Sequence, residues 1–122
     1  METCAIKLYP DEFYTKSLPF LLCLESGASN STDWNAKGKT CASQNNLDWN
    51  SISQCTTSKQ GNDWQAEFAT KTENLVPAHT YVPWVVVNGA HSQSSESAIE
   101  SNMVRYVCSI YKGTEQIAAC QR

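Results

Sequence analysis

Six cysteines in a chain of 122 residues constrain the fold more than any other feature of this sequence. They are Cys4, Cys23, Cys41, Cys55, Cys108 and Cys120. An even number of widely spaced cysteines in a small chain favours disulfide bonds and an oxidising compartment. Zinc sites instead take ligands in pairs roughly two to four residues apart, and no two cysteines here are that close. We therefore expect disulfides, with reduced buried cysteines as the alternative, and no metal site.

Composition and short motifs narrow the setting. A net charge of −3 argues against a general nucleic-acid binder, which needs a basic face. The longest apolar stretches fall far short of the ~20 residues of a membrane-spanning helix, so we predict no membrane span. Asn30-Ser31-Thr32 is a glycosylation acceptor triplet in a polar turn, which makes Asn30 the candidate glycosylation site. The triplet and the cysteines together predict a lysosomal or secreted protein. Since Met1–Leu8 contains no signal peptide, we expect that Met1 is not the natural start.

The first two thirds of the chain are predicted to be mainly helical. Capping residues, prolines and apolar spacing give helices over about Pro10–Glu25 with an interruption at Pro19, over Asp33–Ala42, from Asp48 through Cys55, and from Asn62 through about Glu73. Lys59-Gln60-Gly61-Asn62 reads as a break between the last two helices.

The last third is predicted to contain a hairpin and a helix. Trp84–Val87 is a continuous apolar, β-branched run, typical of a strand that is buried on both faces. Asn88-Gly89 is a hairpin turn signal, with Ala90–Gln93 as a short return strand at the sheet edge. Ser97 and Glu100 form a capping box for a helix that ends at Gly113. Its apolar stripe is Ile99, Met103, Tyr106, Val107 and Ile110.

These elements suggest two of the disulfides. Cys108 lies near the stripe of the last helix and Cys120 follows a short return segment, so a bridge between them would pin the C-terminus onto that helix. A second predicted bridge joins Cys41 and Cys55, which lie on two neighbouring short helices. Six cysteines allow about fifteen pairings, and the spacing assigns no partner to the remaining two.

The proline that directly precedes the apolar strand is unusual. Pro83 cannot donate to a ladder, and Val82-Pro83 is a candidate for a cis peptide bond, with a trans proline at a strand start as the alternative. The stretch from His79 to Gly89, which reads His-Thr-Tyr-Val-Pro-Trp-Val-Val-Val-Asn-Gly, resembles the signature of the gamma-interferon-inducible lysosomal thiol reductase family. The tail Val107–Gly113, followed by Cys120, is similar to the end of that family, and the four earlier cysteines fall at similar spacings.

The resemblance implies an α/β, thioredoxin-like fold with a helical insertion, here truncated to a mainly helical chain with one C-terminal β-hairpin. It implies a single domain over residues 1–122, with a helical region at 1–78 and the loop, hairpin and last helix at 79–122. It also implies reduction of disulfides in protein or peptide substrates in an acidic compartment. The candidate substrate-binding residues are Tyr81, Val82, Pro83 and Trp84, and no cofactor is implied.

The sequence departs from the family at the residues that carry the chemistry. The family uses a Cys-x-x-Cys pair, and this chain has none, so no catalytic residue is assigned in it. We expect the chain to begin inside the helical region of the family, after the redox pair. It is then a fragment, a processed half paired with a companion N-terminal segment that carries the pair, or a truncated gene product, with a divergent member that fills the gap differently as a further alternative. Cys4, at a possible helix N-terminus, is a candidate nucleophile, but a structural bridge or an unpaired structural thiol is the preferred interpretation.

Two functions therefore stay open. One is a thiol-disulfide oxidoreductase of the lysosomal thiol reductase family, to which this chain contributes the substrate-facing loop without the redox pair. The other is a non-catalytic, secreted, disulfide-stabilised binding module on the same scaffold. Whether this chain is an enzyme by itself depends on which of the two is right.

Overall fold

The computed structural model describes residues 1–121 and is mainly helical, with one two-stranded antiparallel sheet. Its α-helices and strands are α1 Glu2–Leu8, α2 Leu18–Glu25, α3 Trp34–Gln44, α4 Trp49–Thr56, α5 Lys59–Glu73, β1 Val86–Val87, β2 Ala90–His91 and α6 Gln93–Ile110. Short 3-10 turns lie at Pro10–Glu12 and Ala118–Cys120, and a π-helical turn lies at Phe13–Ser17. The chain divides into two compact units, Met1–Thr70 and Lys71–Arg122. No helix within residues 1–121 is long and apolar enough to cross a membrane.

The first unit has a core of apolar side chains from α1 to α4 and from the turn between α3 and α4. Its buried members are Cys4, Ala5, Phe20, Leu24, Cys41, Ala42, Leu47, Ile52 and Cys55. Helix α1 packs against α4, and α2 packs against α3. Burial of this apolar surface supplies the main driving force for helices that are too short to be stable alone.

Two disulfides follow from this packing. Cys4 on α1 is bonded to Cys55 on α4, with a Cα–Cα distance of 6.0 Å. Cys23 on α2 is bonded to Cys41 on α3, at 5.7 Å. The predicted Cys41–Cys55 bridge is therefore wrong, and Cys4 is not unpaired. The physical reason is α1, a seven-residue helix without a side-chain cap that the sequence did not reveal and that brings Cys4 to Cys55.

The capped helices of the first unit begin where the sequence predicts. The Asp33 carboxylate accepts hydrogen bonds from the backbone N–H groups of Asn35 and Ala36 at the start of α3. Asp48 does the same for Asn50 at the start of α4, at 2.9 Å. These contacts satisfy donors that a helix N-terminus leaves free. The chain from Pro10 to Glu25 is also helical, but the regular helix begins only at Leu18.

The predicted break at residues 59–62 is wrong, because α5 begins at Lys59. The Ser58 hydroxyl accepts a hydrogen bond from the Gly61 N–H at 3.0 Å and caps the new helix. Gly61 is buried against the main-chain carbonyl of Cys55, where a Cβ atom would collide with the carbonyl oxygen. This glycine therefore permits the first turn of α5 to lie close to the end of α4, and does not end a helix.

The second unit contains the hairpin that Asn88-Gly89 predicts. Val86 pairs with His91 and Val87 with Ala90, and both turn residues have positive φ, at 51° for Asn88 and 80° for Gly89. The prediction of a strand buried on both faces is wrong: Trp84–Val87 is only half-buried, and regular pairing begins at Val86. The reason is that β1 has β2 as its single partner strand among the described residues.

The last helix also differs from its prediction. It begins at Gln93, because the Ser92 hydroxyl accepts a hydrogen bond from the Ser95 N–H, so the predicted capping box is wrong. It ends at Ile110 instead of Gly113, and Asn102 breaks its geometry with φ −161°. The predicted apolar stripe is not a buried face, since Met103 is 62% exposed. The predicted Cys108–Cys120 bridge is confirmed, at a Cα–Cα distance of 5.3 Å.

Candidate functional site

The loop Tyr81–Trp84 is an irregular segment that leads into the hairpin. The Val82-Pro83 peptide bond is cis, and so is the Val76-Pro77 bond, which no sequence pattern singled out. Val82 as a whole residue is 80% exposed, and no backbone–backbone hydrogen bond among the described residues involves it. An exposed main chain of this kind can pair with an extended peptide.

A buried carboxylate on α6 holds this loop. Glu96 is 2% exposed, and its Oε1 accepts a hydrogen bond from the Tyr81 hydroxyl at 2.8 Å. Its Oε2 accepts one from the Val85 N–H at 3.2 Å, and the Gln93 amide donates to Oε1 at 3.3 Å. These bonds offset the cost of burying a charged group.

Three rings form a compact aromatic cluster behind the loop. Trp84 stacks on the His91 ring at a centroid distance of 3.6 Å and an interplanar angle of 17°. The Tyr81 ring meets Trp84 edge-on at 5.0 Å. His91 is fixed in turn, because its Nδ1 lies 3.0 Å from the Val85 carbonyl oxygen and its Nε2 lies 3.2 Å from the Tyr81 hydroxyl.

The site has two further chemical features. Burial, followed by the hydrogen bond to Glu96 and the negative charge of that carboxylate, raises the pKa of the Tyr81 hydroxyl, which therefore keeps its proton and acts as a donor. The indole N–H of Trp84 is buried and has no acceptor within residues 1–121. A buried donor without an acceptor is rare in folded proteins.

Comparison with known proteins connects this loop to a family. The chain is 35% identical, over 98% of its length, to a gamma-interferon-inducible lysosomal thiol reductase from Carassius auratus. It is 31% identical, over 93% of its length, to a gamma-interferon-responsive lysosomal thiol protein from Arabidopsis thaliana. This chain belongs to the gamma-interferon-inducible lysosomal thiol reductase family.

The chain spans less than half the length of these relatives, 45% of the first and 44% of the second. No protein-family model matches it, and no solved structure matches it at a significant level. The lysosomal thiol reductase relationship therefore rests on the two curated relatives, and it agrees with the resemblance carried by the His79–Gly89 stretch.

The cysteines of this family member offer no thiolate. All six are in disulfides, and the sequence separations within the three pairs are 51, 18 and 12. Thiol–disulfide exchange begins with attack by a thiolate, so none of them can act in these bridged states. Residues 1–121 also contain no group of His, Cys, Asp and Glu side chains that could hold a metal ion.

The structure brings the four predicted substrate-binding residues together with three that the sequence did not select. Tyr81 and Trp84 pack into the aromatic cluster, while Val82 and Pro83 face solvent. The unselected residues are His91, Gln93 and Glu96. His91 lies on the predicted return strand at the sheet edge, and its side chain is only 17% exposed. The signal that could have found Glu96 is a carboxylate in the first turn of a helix directly after a hairpin.

The candidate glycosylation site lies in the first unit. Asn30 is exposed in the turn between α2 and α3. Within the same turn, the Thr32 hydroxyl accepts a hydrogen bond from the Ser29 N–H at 2.8 Å. The asparagine side chain is therefore accessible to a glycosylating enzyme, and its occupancy stays a prediction.

Proposed function

We propose that this chain contributes the substrate-facing loop of a thiol–disulfide oxidoreductase, on a thioredoxin-like fold that other segments complete. The observation that carries the proposal is the relationship to lysosomal thiol reductases across nearly the whole chain. The proposed substrates are proteins and peptides that contain disulfides. The proposed setting is a lysosomal or secreted one, with a glycan on Asn30.

The chemistry of the proposed reaction divides between two parts. A Cys-x-x-Cys pair on a companion segment supplies the thiolate, which attacks a substrate disulfide, forms a mixed disulfide and releases one substrate thiol after protonation. The second cysteine of the pair then attacks the mixed disulfide and releases the other substrate sulfur as a thiol. The pair ends oxidised and the substrate reduced, so atoms and electrons balance.

The part that we propose for this chain is to hold the substrate. The exposed Val82 main chain offers an N–H and a C=O group to an extended peptide. The Trp84 indole N–H, which lacks an acceptor among the described residues, supports a site that another molecule completes. Trp84 is held by its stacking on His91, and Glu96 binds Tyr81 and Val85 on either side of the loop. Because these neighbours are ordered before binding, little loop entropy is lost when a peptide binds.

A matched pair of variants tests this assignment. Val82 and Val76 each precede a cis proline in the second unit and are 80% and 82% exposed. In the disulfide-bonded 122-residue chain, Val82→Asp is expected to weaken binding of a short peptide closed by one disulfide by about tenfold, which corresponds to ~1.4 kcal/mol. Val76→Asp is expected to leave the Kd within about twofold. Equal effects of the two variants, or no binding by the unmodified chain, would contradict the assignment.

A second function is favoured by one specific observation. Because all six cysteines are bridged, the chain is also suited to be a non-catalytic, secreted binding module. The two functions differ in turnover when a companion segment with a Cys-x-x-Cys pair is present: the reductase then reduces the peptide disulfide, whereas the binding module does not. Without that segment, neither function predicts turnover. Reduction of the same peptide by the 122-residue chain alone, persisting in a Cys4→Ala/Cys55→Ala variant, would overturn the proposal that the redox pair lies elsewhere.

A further inference from the structure

We propose that Glu96 is the positioning residue for the Tyr81–Trp84 loop and that it acts by holding the Tyr81 hydroxyl and the Val85 N–H at the same time. The proposal rests on the proposed function, since it assigns a role to the loop that holds substrate. Among residues 71–121, Glu96 is the only one that is buried. It was not among the candidate site residues predicted from the sequence.

The carboxylate bridges the two ends of the loop. Oε1 binds the side chain of Tyr81, where the segment begins, and Oε2 binds the main chain of Val85, where it ends. Between these ends, Val82 has no backbone–backbone hydrogen bond among the described residues. The His91 ring also touches both ends, at the Tyr81 hydroxyl and the Val85 carbonyl oxygen. Loss of the carboxylate would therefore weaken both ends at once, because it removes the shortest contact of Tyr81 and the acceptor of the Val85 N–H.

The Tyr81 hydroxyl carries one proton and has three neighbours. They are the Glu96 Oε1 at 2.8 Å, the His91 Nε2 at 3.2 Å and the Gln93 Oε1 at 3.2 Å. Because the carboxylate oxygen is the nearest of the three and only accepts, the hydroxyl donates to Glu96. Glu96 therefore makes the shortest contact that holds the start of the loop.

The test compares Glu96→Gln with Glu100→Gln in the disulfide-bonded chain. Glutamine keeps the shape of Glu96 but cannot accept from both Tyr81 and the Val85 N–H, whereas Glu100 is an exposed control on the same helix. The first readout is proton NMR of the His91 ring in a His79→Gln background, which leaves one imidazole in the chain. Stacking on Trp84 shifts the ring protons of His91, so the shift reports the loop directly without any substrate.

We expect the ring shift in the unmodified chain, measured at one acidic pH. We expect Glu96→Gln to remove most of it at acidic pH and Glu100→Gln to preserve it. The Kd for the disulfide-closed peptide is expected to rise about tenfold in Glu96→Gln, because only a fraction of the molecules then hold the competent loop. Tyr81→Phe, which keeps the carboxylate and removes the hydroxyl, is expected to behave like Glu96→Gln.

Different failures point to different errors. An unchanged His91 shift in both Glu96→Gln and Tyr81→Phe, or an equal loss in Glu100→Gln, would overturn the positioning role. A thermal midpoint that falls in Glu96→Gln while the peptide Kd at acidic pH stays constant would reduce Glu96 to a structural residue and would also overturn it. Absence of peptide binding by every chain would contradict the proposed function, while the NMR comparison would still decide the role of Glu96.

Discussion

The disulfide between Cys4 and Cys55 is expected to contribute more to stability than the other two, and its removal is the sharpest test of the first unit. The bond joins two cysteines that are 51 positions apart in the sequence. For a loop of that size, the chain-entropy relation gives a contribution of about 4 kcal/mol to the free energy of unfolding at 25 °C. The same relation gives about 3 kcal/mol for the separation of 12 between Cys108 and Cys120. Alanine is the right replacement, because Cys4 and Cys55 are 3% and 6% exposed and serine would bury a hydroxyl group.

Thermal unfolding followed by tryptophan fluorescence measures this effect, since three of the four tryptophans lie in Met1–Thr70. For a unit of this size, a loss of about 4 kcal/mol lowers the Tm by roughly 20–30 °C. The Cys108→Ala/Cys120→Ala variant is the matched control and should leave that transition nearly unchanged. A fall of less than about 5 °C in Cys4→Ala/Cys55→Ala, or a larger fall in the control, would refute the reasoning about loop size and packing.

Two further predictions concern the site and the surface. In an alkaline titration by ultraviolet absorbance, one tyrosine should ionise above the ordinary pKa of 10.0, and Tyr81→Phe should remove that late step. Because the folded site raises this pKa, the stabilisation is complete below the ordinary value and is lost as the pH rises through the raised one; a titration curve without a late step would contradict it. Enzymatic deglycosylation of natural material should convert Asn30 to aspartate, as read by peptide mapping, and an unmodified Asn30 would show that the turn is not glycosylated.

Local signals predicted the parts of the fold that depend on a few neighbouring residues. Asp33 and Asp48 mark helix starts because an N-cap carboxylate binds N–H groups two or three residues away. The Asn88-Gly89 turn and the Cys108–Cys120 bridge were predictable for the same reason. The Cys4–Cys55 bridge was not, because it depends on how α1 packs on α4, and α1 is too short and too weakly capped to be visible in the sequence.

The candidate site shows the same difference between features that depend on neighbouring residues and features that depend on long-range packing. The Tyr81–Trp84 loop stands out through its proline and its resemblance to a family, and both are readable along the chain. Glu96 does not stand out, because its burial results from Tyr81, 15 residues earlier, and from the main chain of Val85. A glutamate in the first turn of a helix reads as a favourable interaction with the helix dipole, and only the folded hairpin turns it into a buried bridge.

The measurement that tests the central claim most directly is the intact mass of the natural protein, non-reduced and reduced, with peptide mapping. The account predicts that these residues occur together with a segment that carries a Cys-x-x-Cys pair, on the same chain or bound to it, and that the three bridges Cys4–Cys55, Cys23–Cys41 and Cys108–Cys120 are intact. Natural material that contains only these 122 residues, with every cysteine bridged, would contradict the reductase assignment and would leave a binding scaffold.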